Sequence, residues 1–541
     1  MLNWRAPPLK PDVRTRSSNG LTSPSGSPTY AAQADGERRA LPEDLPLATD
    51  TTAHPGARRL GASTRLFYGF GSVAFGIKDN GFSYFLAFFY AQVVGLPAQT
   101  VGLAIMMALI LDAFIDPIIG QLSDNTRSKW GRRHPWMYGA AIPVALSFML
   151  IWNPPTGWSQ GGQVAYLVAV AVLIRSFISC YEIPSAALAA ELTTEYDERT
   201  RLLSYRYLFG WAGGLAMYGL ALAVFLKPTA AYPVGQLNPQ GYATYGMFAA
   251  GLMLFAILVT SIGTHGQIPY LRDPPRQRAT IRRLAREMVG TLHNRNFLMI
   301  LAASFFLYAG IGLGFAINLY FATYYWEFGA GEIALFSFSS LAAAVLAFMA
   351  APRLAKRFDK RPTAILLIPA GLAFQIGPIA LRLVGAFPEN DSPLIFGTIF
   401  VTNILSVGLG IVANILFSSM IADVVEDAEL KTGRRQEGLF FAAIAFANKS
   451  TTGLGIFASG MIVGAIGFPT GAKPGTVAPE VVRGLGLVYV PTQMVLYGVA
   501  ALLLLGYGIS RASHMETLRK LAAAADLAQE GEPAGGQSKL S

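Results

Sequence analysis

Four acidic residues lie inside long apolar stretches of this sequence, where a charge is costly. Asp112 and Asp116 lie in GLAIMMALILDAFIDPIIG, Asp79 lies in GSVAFGIKDNGFSYFLAFFY, and Glu182 lies in YLVAVAVLIRSFISCYEIPSAALAA. A charged side chain at the centre of a bilayer costs about 2.5–3.5 kcal/mol on insertion scales, so such residues face a bundle interior or a water-filled path. The four acids therefore nominate an ion or substrate pathway through a membrane protein.

Asp112 and Asp116 are spaced i, i+4, which places both carboxylates on one face of a helix. Two like charges this close in a low dielectric favour binding of a proton, a cation or a neighbouring base. A pair that is stable only when occupied suits the coupling of ion movement to substrate movement. The alternative is that both aspartates are structural partners of nearby bases.

The composition indicates a helical membrane protein. Of the 541 residues, 53% are hydrophobic and 14% are charged, whereas soluble domains carry about 25% charged residues. The net charge of +10 lies largely in short loops, so we attribute it to membrane orientation and expect no nucleic-acid partner. The single cysteine, Cys180, excludes an intrachain disulfide. The sequence shows no P-loop, nucleophile elbow or HExxH motif, so we expect neither an enzyme nor a cofactor beyond a coupling cation.

Twelve apolar runs are long enough to cross a bilayer. They cover residues 66–92, 98–122, 136–153, 163–188, 204–226, 243–263, 297–325, 332–351, 363–386, 394–420, 438–465 and 486–509. The pattern predicts an all-α membrane protein with six-helix halves at 63–265 and 297–510, joined by a connector at 266–296. Residues 1–62 are predicted to form a disordered tail, and residues 511–541 form a second tail.

Basic residues alternate between the loops and predict the orientation. The loop SDNTRSKWGRRHP after the second run and the loop RLAKRFDKRP after the eighth are basic, whereas QVVGLPAQ and WNPPTGWSQGGQ carry no bases. By the positive-inside rule the basic loops, the connector and both termini are cytoplasmic. We therefore expect a monomer in a bacterial-type inner membrane, with substrate bound between the two halves near the midplane.

Blocks spread across residues 64–510 resemble the glycoside–pentoside–hexuronide:cation symporters of the major facilitator superfamily. They are LFYGFGSVAFGIKDNGFSYFLAFFYAQVVGL, LDAFIDPIIGQLSDNTRSKWGRRHPW, YEIPSAALAAELTTEYDERTRLLSYR and SSMIADVVEDAELKTGRRQEGLFFAAIAFANKSTTGLG. The resemblance implies the major facilitator fold. It also implies Asp112, Asp116 and Ser179 as the cation-coupling set, with Na⁺ as one candidate ion. Substrate-binding roles are implied for Asp79, Glu182, Arg206 and Lys449.

Two positions depart from the family pattern. Ile115 stands where the familiar member of the family has an asparagine, so one oxygen ligand for sodium is missing. Arg175 lies at i−4 from Ser179 and i−7 from Glu182, on the same helix face. An arginine keeps its charge, so Arg175 either pairs with an acid and acts as a built-in cation, or faces the cavity and favours a sugar acid. The coupling ion therefore stays open between H⁺ and Na⁺.

Further residues complete the predicted site. Tyr181 and Trp211 are candidate stacking partners for a sugar, although each is also an ordinary packing residue. Charges in the basic loops are candidates for gating pairs between the halves, or for solvated loop charge: Asp124, Arg132, Arg133, Asp423, Asp427, Arg434 and Arg435.

We therefore expect a secondary active transporter that imports a sugar, glycoside or sugar acid with H⁺ or Na⁺ by alternating access. One alternative is a cation-coupled carrier of lysolipid or another amphiphile, with the same fold and an apolar side cleft. A second is a membrane sensor or assembly protein that does not transport. The retained membrane-embedded acids argue against this last alternative.

Overall fold

The computed structural model describes residues 60–193, 195–271, 290–432 and 437–530. The predicted tail at 1–62 and the connector at 266–296 therefore lie mostly outside the described residues. Eleven described helices are long and apolar enough to cross a membrane. A twelfth crossing is supplied by a segmented helical run at residues 62–93, which begins the first half.

The first half contains seven α-helical segments. Its segmented first crossing comprises α1 (Ala62–Phe70), α2 (Ser72–Asn80) and π-helical turns at Gly81–Leu86 and Phe89–Val93. The other crossings are α3 (Ala98–Asn125), α4 (His134–Ile151), α5 (Gln160–Leu192), α6 (Tyr196–Leu220, continued by a π-helical turn at Ala221–Phe225) and α7 (Pro239–His265).

The second half repeats this six-crossing layout. Its crossings are α8 (Arg295–Tyr320, continued by a π-helical turn at Phe321–Tyr325), α9 (Ala330–Arg357), α10 (Lys360–Leu383), α11 (Leu394–Thr432), α12 (Glu437–Ala465) and α13 (Pro479–Leu504). A polar helix, α14 (Arg511–Glu530), follows. The helix α11 is longer than the predicted run at 394–420, because its polar continuation stays helical beyond the apolar part.

The break between α1 and α2 has a local cause. The Thr260 hydroxyl of α7 donates a 2.6 Å hydrogen bond to the carbonyl oxygen of Phe67, an acceptor that a continuous helix offers to the amide of Gly71. A side chain inserted into the helical ladder in this way bends or breaks a helix. Gly71 is required there, because an added Cβ would lie 1.8 Å from the Tyr181 hydroxyl.

The two ends of the bundle differ in charge. We call the end with the loops at 126–133 and 358–359 the basic end, and the end with the loops at 94–97, 152–159, 226–238 and 326–329 the neutral end. One hydrophobic core joins residues of both halves near the neutral end, including Phe88, Tyr320 and Phe328. A second core lies within the second half alone, with Phe417, Met420 and Phe440 among its members.

Helices α3 and α12 form the tightest seam between the halves. An added Cβ on Gly460 of α12 would lie 2.3 Å from the carbonyl oxygen of Ala98 on α3. Closer to the basic end, the rings of Phe114 and Phe446 meet edge to face, with centroids 5.1 Å apart. The packing of α3 on α12 places the acidic pair of α3 close to a lysine of α12.

Candidate substrate and coupling site

The three predicted cation-coupling residues lie together in the middle of the bundle. Asp112 and Asp116 are one turn apart on α3, and Ser179 of α5 lies between their carboxylates. Its hydroxyl is 3.1 Å from Asp112 Oδ1 and 2.6 Å from Asp116 Oδ1. The i, i+4 spacing thus produces the shared face that the sequence predicts.

Two bases complete this group. Arg175 Nη1 lies 3.0 Å from Asp112 Oδ2, and Lys449 Nζ lies 3.1 Å from the same oxygen. Lys449 also donates to Asp116 Oδ2. We call these five residues the coupling cluster: Asp112, Asp116, Arg175, Ser179 and Lys449. The cluster contains two carboxylates and two basic side chains, so its charges balance when all four groups are ionised.

The two ion pairs of the cluster differ in exposure. The side chains of Asp112 and Arg175 are 3% and 7% exposed, and the guanidinium also lies over the Phe82 ring, 5.1 Å from its centroid. The side chains of Asp116 and Lys449 are 26% and 36% exposed. Asp112 and Arg175 therefore form a fixed internal pair, whereas Asp116 and Lys449 face accessible space.

The oxygens that could bind a cation are engaged within the cluster. A hard cation prefers oxygen ligands, and the two aspartates with Ser179 supply them. However, each of the four carboxylate oxygens already lies within hydrogen-bond distance of Ser179, Arg175 or Lys449. Sodium would have to displace the lysine, whereas a proton needs only one carboxylate oxygen.

The predicted substrate-binding acids lie on the same half. Asp79 is paired with its neighbour Lys78, with Nζ and Oδ1 2.5 Å apart, and its side chain stays 45% exposed. Glu182 Oε1 lies 3.9 Å from Arg206 Nη2. Arg206 also donates to the Ser185 hydroxyl at 3.0 Å and to the Glu182 carbonyl oxygen at 3.4 Å. This places two partly exposed carboxylates, each with a basic partner, in the first half.

The two predicted stacking residues have different surroundings. Tyr181 is 1% exposed, and its hydroxyl packs against Gly71. The prediction that Tyr181 stacks on a sugar is therefore wrong in this structure. The reason is helical geometry, since Tyr181 is two residues after Ser179 and so points to the opposite side of α5. Trp211 is half exposed on α6, and its stacking role stays a prediction.

The predicted gating residues of the first half form ion pairs within that half. Arg133 pairs with Asp124 and, through Nε at 2.7 Å, with Glu191. Arg132 Nη2 lies 2.7 Å from the same Glu191 oxygen. Sequence reasoning missed Glu191, although an acid at the end of the fourth apolar run, beside a basic loop, was the available signal.

The second half also neutralises its own charges at the basic end. Lys360 Nζ lies 2.6 Å from Asp423 Oδ1, and Asp427 pairs with Lys431 at 2.7 Å. Arg434 and Arg435 lie outside the described residues. In this arrangement none of the described members pairs across the halves, because each charge has a nearer partner on its own half.

The neutral end carries contacts that do join the halves. The Tyr324 hydroxyl of the second half lies 3.2 Å from Gln92 Oε1 of the first half and 2.9 Å from the Ala472 carbonyl oxygen of its own half. Gln236 Nε2 donates to the Phe328 carbonyl oxygen at 2.9 Å. The described chain is therefore tied together at the neutral end.

Comparison with known proteins places this chain in a family. A family model described as MFS/sugar transport protein matches residues 67–511. The isoprimeverose transporter of Lactiplantibacillus pentosus is 25% identical over 453 residues, 83% of this chain and 89% of that protein. The putative glycoside/cation symporter YagG of Escherichia coli (strain K12) is 26% identical over 454 residues, 83% of this chain and 92% of that protein.

A solved structure supports the fold independently. The inward open conformation of the xylose transporter XylE from E. coli matches with a TM-score of 0.57 at 13% identity, over 85% of this chain and 99% of that chain. At this identity the likeness concerns the fold alone, and it confirms the predicted all-helical major facilitator architecture. With the family model spanning residues 67–511, the chain belongs to the MFS/sugar transport protein family, a family of sugar/cation symporters rather than enzymes.

Proposed function

We propose that this protein imports a sugar or glycoside together with a proton by alternating access in a bacterial-type inner membrane. The observation that carries the proposal is the coupling cluster, in which Lys449 of one half holds Asp116 of the other. The exposed pair of Asp116 and Lys449 changes its charge with protonation. The buried pair of Asp112 and Arg175 holds it in position.

Protonation of Asp116 changes the charge that Lys449 meets. When Asp116 is ionised, the pair is neutral, and a neutral group crosses the low-dielectric interior at less cost than a free charge. When Asp116 is protonated, its attraction for Lys449 is lost, and the ammonium keeps only its contact with Asp112, which it shares with Arg175. Proton occupancy at Asp116 thus controls a contact between the two halves.

The contacts at the neutral end fit an inward-facing state. Bases are concentrated at the basic end, which the positive-inside rule assigns to the cytoplasm. The neutral end, held by Gln92, Tyr324 and Gln236, then faces outward and is closed. In this assignment the arrangement is inward-facing, with Asp116 ionised after proton release.

The charges near the cavity also favour a sugar acid as cargo. The first half contributes Lys78, Arg175 and Arg206, and the second half contributes Lys449. Protonation of Asp116 leaves these four bases facing three ionised acids: Asp79, Asp112 and Glu182. A carboxylate on the substrate would restore the balance. A hexuronate is therefore the second cargo class that this site fits.

Uptake into vesicles tests the proposal. Wild-type protein is given isoprimeverose, lactose, D-xylose and glucuronate, with pH and sodium gradients imposed separately. We expect accumulation of at least one of these under a pH gradient without sodium. Accumulation that requires sodium would overturn proton coupling. Uptake of a lysolipid, with no sugar uptake, would support the amphiphile carrier, and no gradient-dependent uptake of any compound would support the non-transporting sensor.

A further inference from the structure

A tyrosine and an asparagine of the second half form a polar pair that lies outside the coupling cluster. The Asn414 side-chain amide on α11 donates a 3.2 Å hydrogen bond to the hydroxyl of Tyr308 on α8. Asn414 is exposed and Tyr308 is partly exposed. An exposed amide near the middle of a long membrane helix faces either lipid or a polar cavity, and exposure to lipid is costly.

Helical geometry decides between these two environments. Asn414 follows Leu405 by nine residues, which at 3.6 residues per turn is about two and a half turns, or the opposite side of the helix. The exposed apolar side chains of Leu394, Val401 and Leu405 share one side of α11, as expected for a surface in contact with lipid. The opposite side carries polar and small residues at turn spacing: Asn403, Gly410, Asn414 and Ser418.

Tyr308 points toward the first half. It precedes Phe315 by seven residues, which returns to the same side of α8 after two turns. The Phe315 ring contacts the ring of Tyr84 in the first half, with centroids 5.0 Å apart. Tyr308 therefore lies on the side of α8 that faces the first crossing, across the space between the halves.

The pair also lies at the depth of the charged residues. Asp79 is five residues before Tyr84, and Tyr308 is seven residues before Phe315, along two crossings that both run from the basic to the neutral end. At about 1.5 Å per residue, the two lie roughly 8 and 10 Å from the ring contact, toward the basic end. Asp79 and Tyr308 thus bound the same level of the cavity from opposite halves.

The pair keeps hydrogen-bonding groups available. Their mutual bond uses one amide hydrogen of Asn414 and one lone pair of the Tyr308 oxygen. An asparagine has a second amide hydrogen and a carbonyl oxygen, and a tyrosine has its own hydroxyl proton. Adjacent hydroxyls of a sugar both donate and accept, so they match this mixed set.

We propose that Tyr308 and Asn414 form a subsite for a sugar hydroxyl pair, facing the charged wall of Asp79 and Glu182. This inference rests on the transport function proposed above and adds the residues that recognise the hydroxyl groups of the sugar. The charged residues Asp79 and Glu182 can bind many polyols, whereas the uncharged pair discriminates between sugars. A sugar without the matching hydroxyl leaves the pair without a hydrogen-bond partner and therefore binds more weakly.

The test compares a sugar with its single-deoxy analogues in the wild-type protein and in two variants. The probe is whichever of isoprimeverose, lactose or D-xylose wild-type vesicles accumulate. We expect Asn414→Ala and Tyr308→Phe to raise KM for the parent sugar roughly three- to tenfold, the factor for one lost neutral hydrogen bond. One deoxy analogue that wild type disfavours should lose its disadvantage in both variants.

Leu405→Ala, on the lipid-facing side of the same helix, is the matched control and should keep both the KM and the discrimination. Retained discrimination in both Asn414→Ala and Tyr308→Phe, with normal wild-type uptake, overturns this inference alone. A rise in KM with unchanged discrimination also overturns it, since it indicates a structural role. No uptake of any sugar by wild type overturns the proposed function and this inference together.

Discussion

Lys449 of the second half donates to the carboxylate of Asp116 in the first half, so this ion pair is one of the contacts that link the two halves at the coupling cluster. Both side chains are partly exposed, unlike the buried pair of Asp112 and Arg175 beside them. This contact differs from the closure at the neutral end, because gaining or losing a single proton changes it.

Asp116→Asn should separate exchange from accumulation. The amide imitates the protonated carboxyl group but cannot release a proton, so pH-driven accumulation of sugar should fall to background. Exchange of internal for external sugar should persist, since the protonated and loaded carrier still changes conformation. Both are measured with labelled sugar in vesicles.

Asp124→Asn is the matched control for that experiment. Asp124 lies at the end of the same helix, and its partner Arg133 keeps a second contact with Glu191. Accumulation should remain close to wild type in this variant. Accumulation that survives in Asp116→Asn would contradict the assignment of Asp116 as the proton site.

Lys449→Met should abolish both exchange and accumulation, because it leaves an ionised Asp116 without its partner from the other half. The double variant Asp116→Asn/Lys449→Met removes both charges and should recover exchange, but not accumulation. Such recovery is the non-additivity expected of two residues in direct contact. Equal loss of exchange in the single and double variants would mean that Lys449 acts elsewhere.

Arg175→Ala should destabilise the protein strongly. The Asp112 side chain is 3% exposed, and Lys449 compensates it only in part because it is shared with Asp116. Breaking a buried pair by removing one partner costs about 3–5 kcal/mol, so the thermal unfolding temperature in detergent should fall clearly. Asp112→Ala/Arg175→Ala should recover much of the loss.

Lys431→Ala provides the comparison for Arg175. Its pair with Asp427 is mostly exposed on the lysine side, and such pairs contribute about 0–1 kcal/mol. An unfolding temperature for Arg175→Ala equal to that of Lys431→Ala would show that the buried pair does not hold the cluster in place.

Gly76→Ala should disrupt the packing of the first crossing on α6. An added Cβ would lie 1.9 Å from the Gly210 carbonyl oxygen, so two backbones must separate. Overpacking of this kind typically costs about 1–3 kcal/mol. Gly251→Ala, where an added Cβ meets no atom within 4 Å, should leave the unfolding temperature unchanged or slightly raised. Equal stability of the two variants would contradict this packing.

Apolar run length and alternating basic loops were enough to predict twelve crossings in two halves. Helical spacing was enough to place Asp112 and Asp116 on one face, and the permanent charge of Arg175 left two options, an acidic partner or a position facing the cavity. These features depend on local chain geometry and on the cost of unpaired charge, and both can be inferred from sequence. The roles of these residues in coupling stay predictions.

The features that the sequence does not show depend on nonlocal packing. Arg132 and Arg133 pair with Glu191 of their own half, and this proximity is set by how α5 packs beside the loop that carries the two arginines. The sequence does not show that Tyr181 is buried, because the packing of α5 against α1 and α7 is tertiary. The position of Asn414 on the side of α11 that faces away from lipid becomes clear only when the lipid-facing side of that helix is known.

Proton coupling at Asp116 can be measured as proton movement during sugar entry. Sugar is added to lightly buffered, de-energised cells that contain the protein, while external pH is recorded with and without sodium. We expect a transient alkalinisation of the medium that does not depend on sodium and is absent in Asp116→Asn. Sugar entry that is accelerated by sodium and causes no alkalinisation would rule out proton coupling.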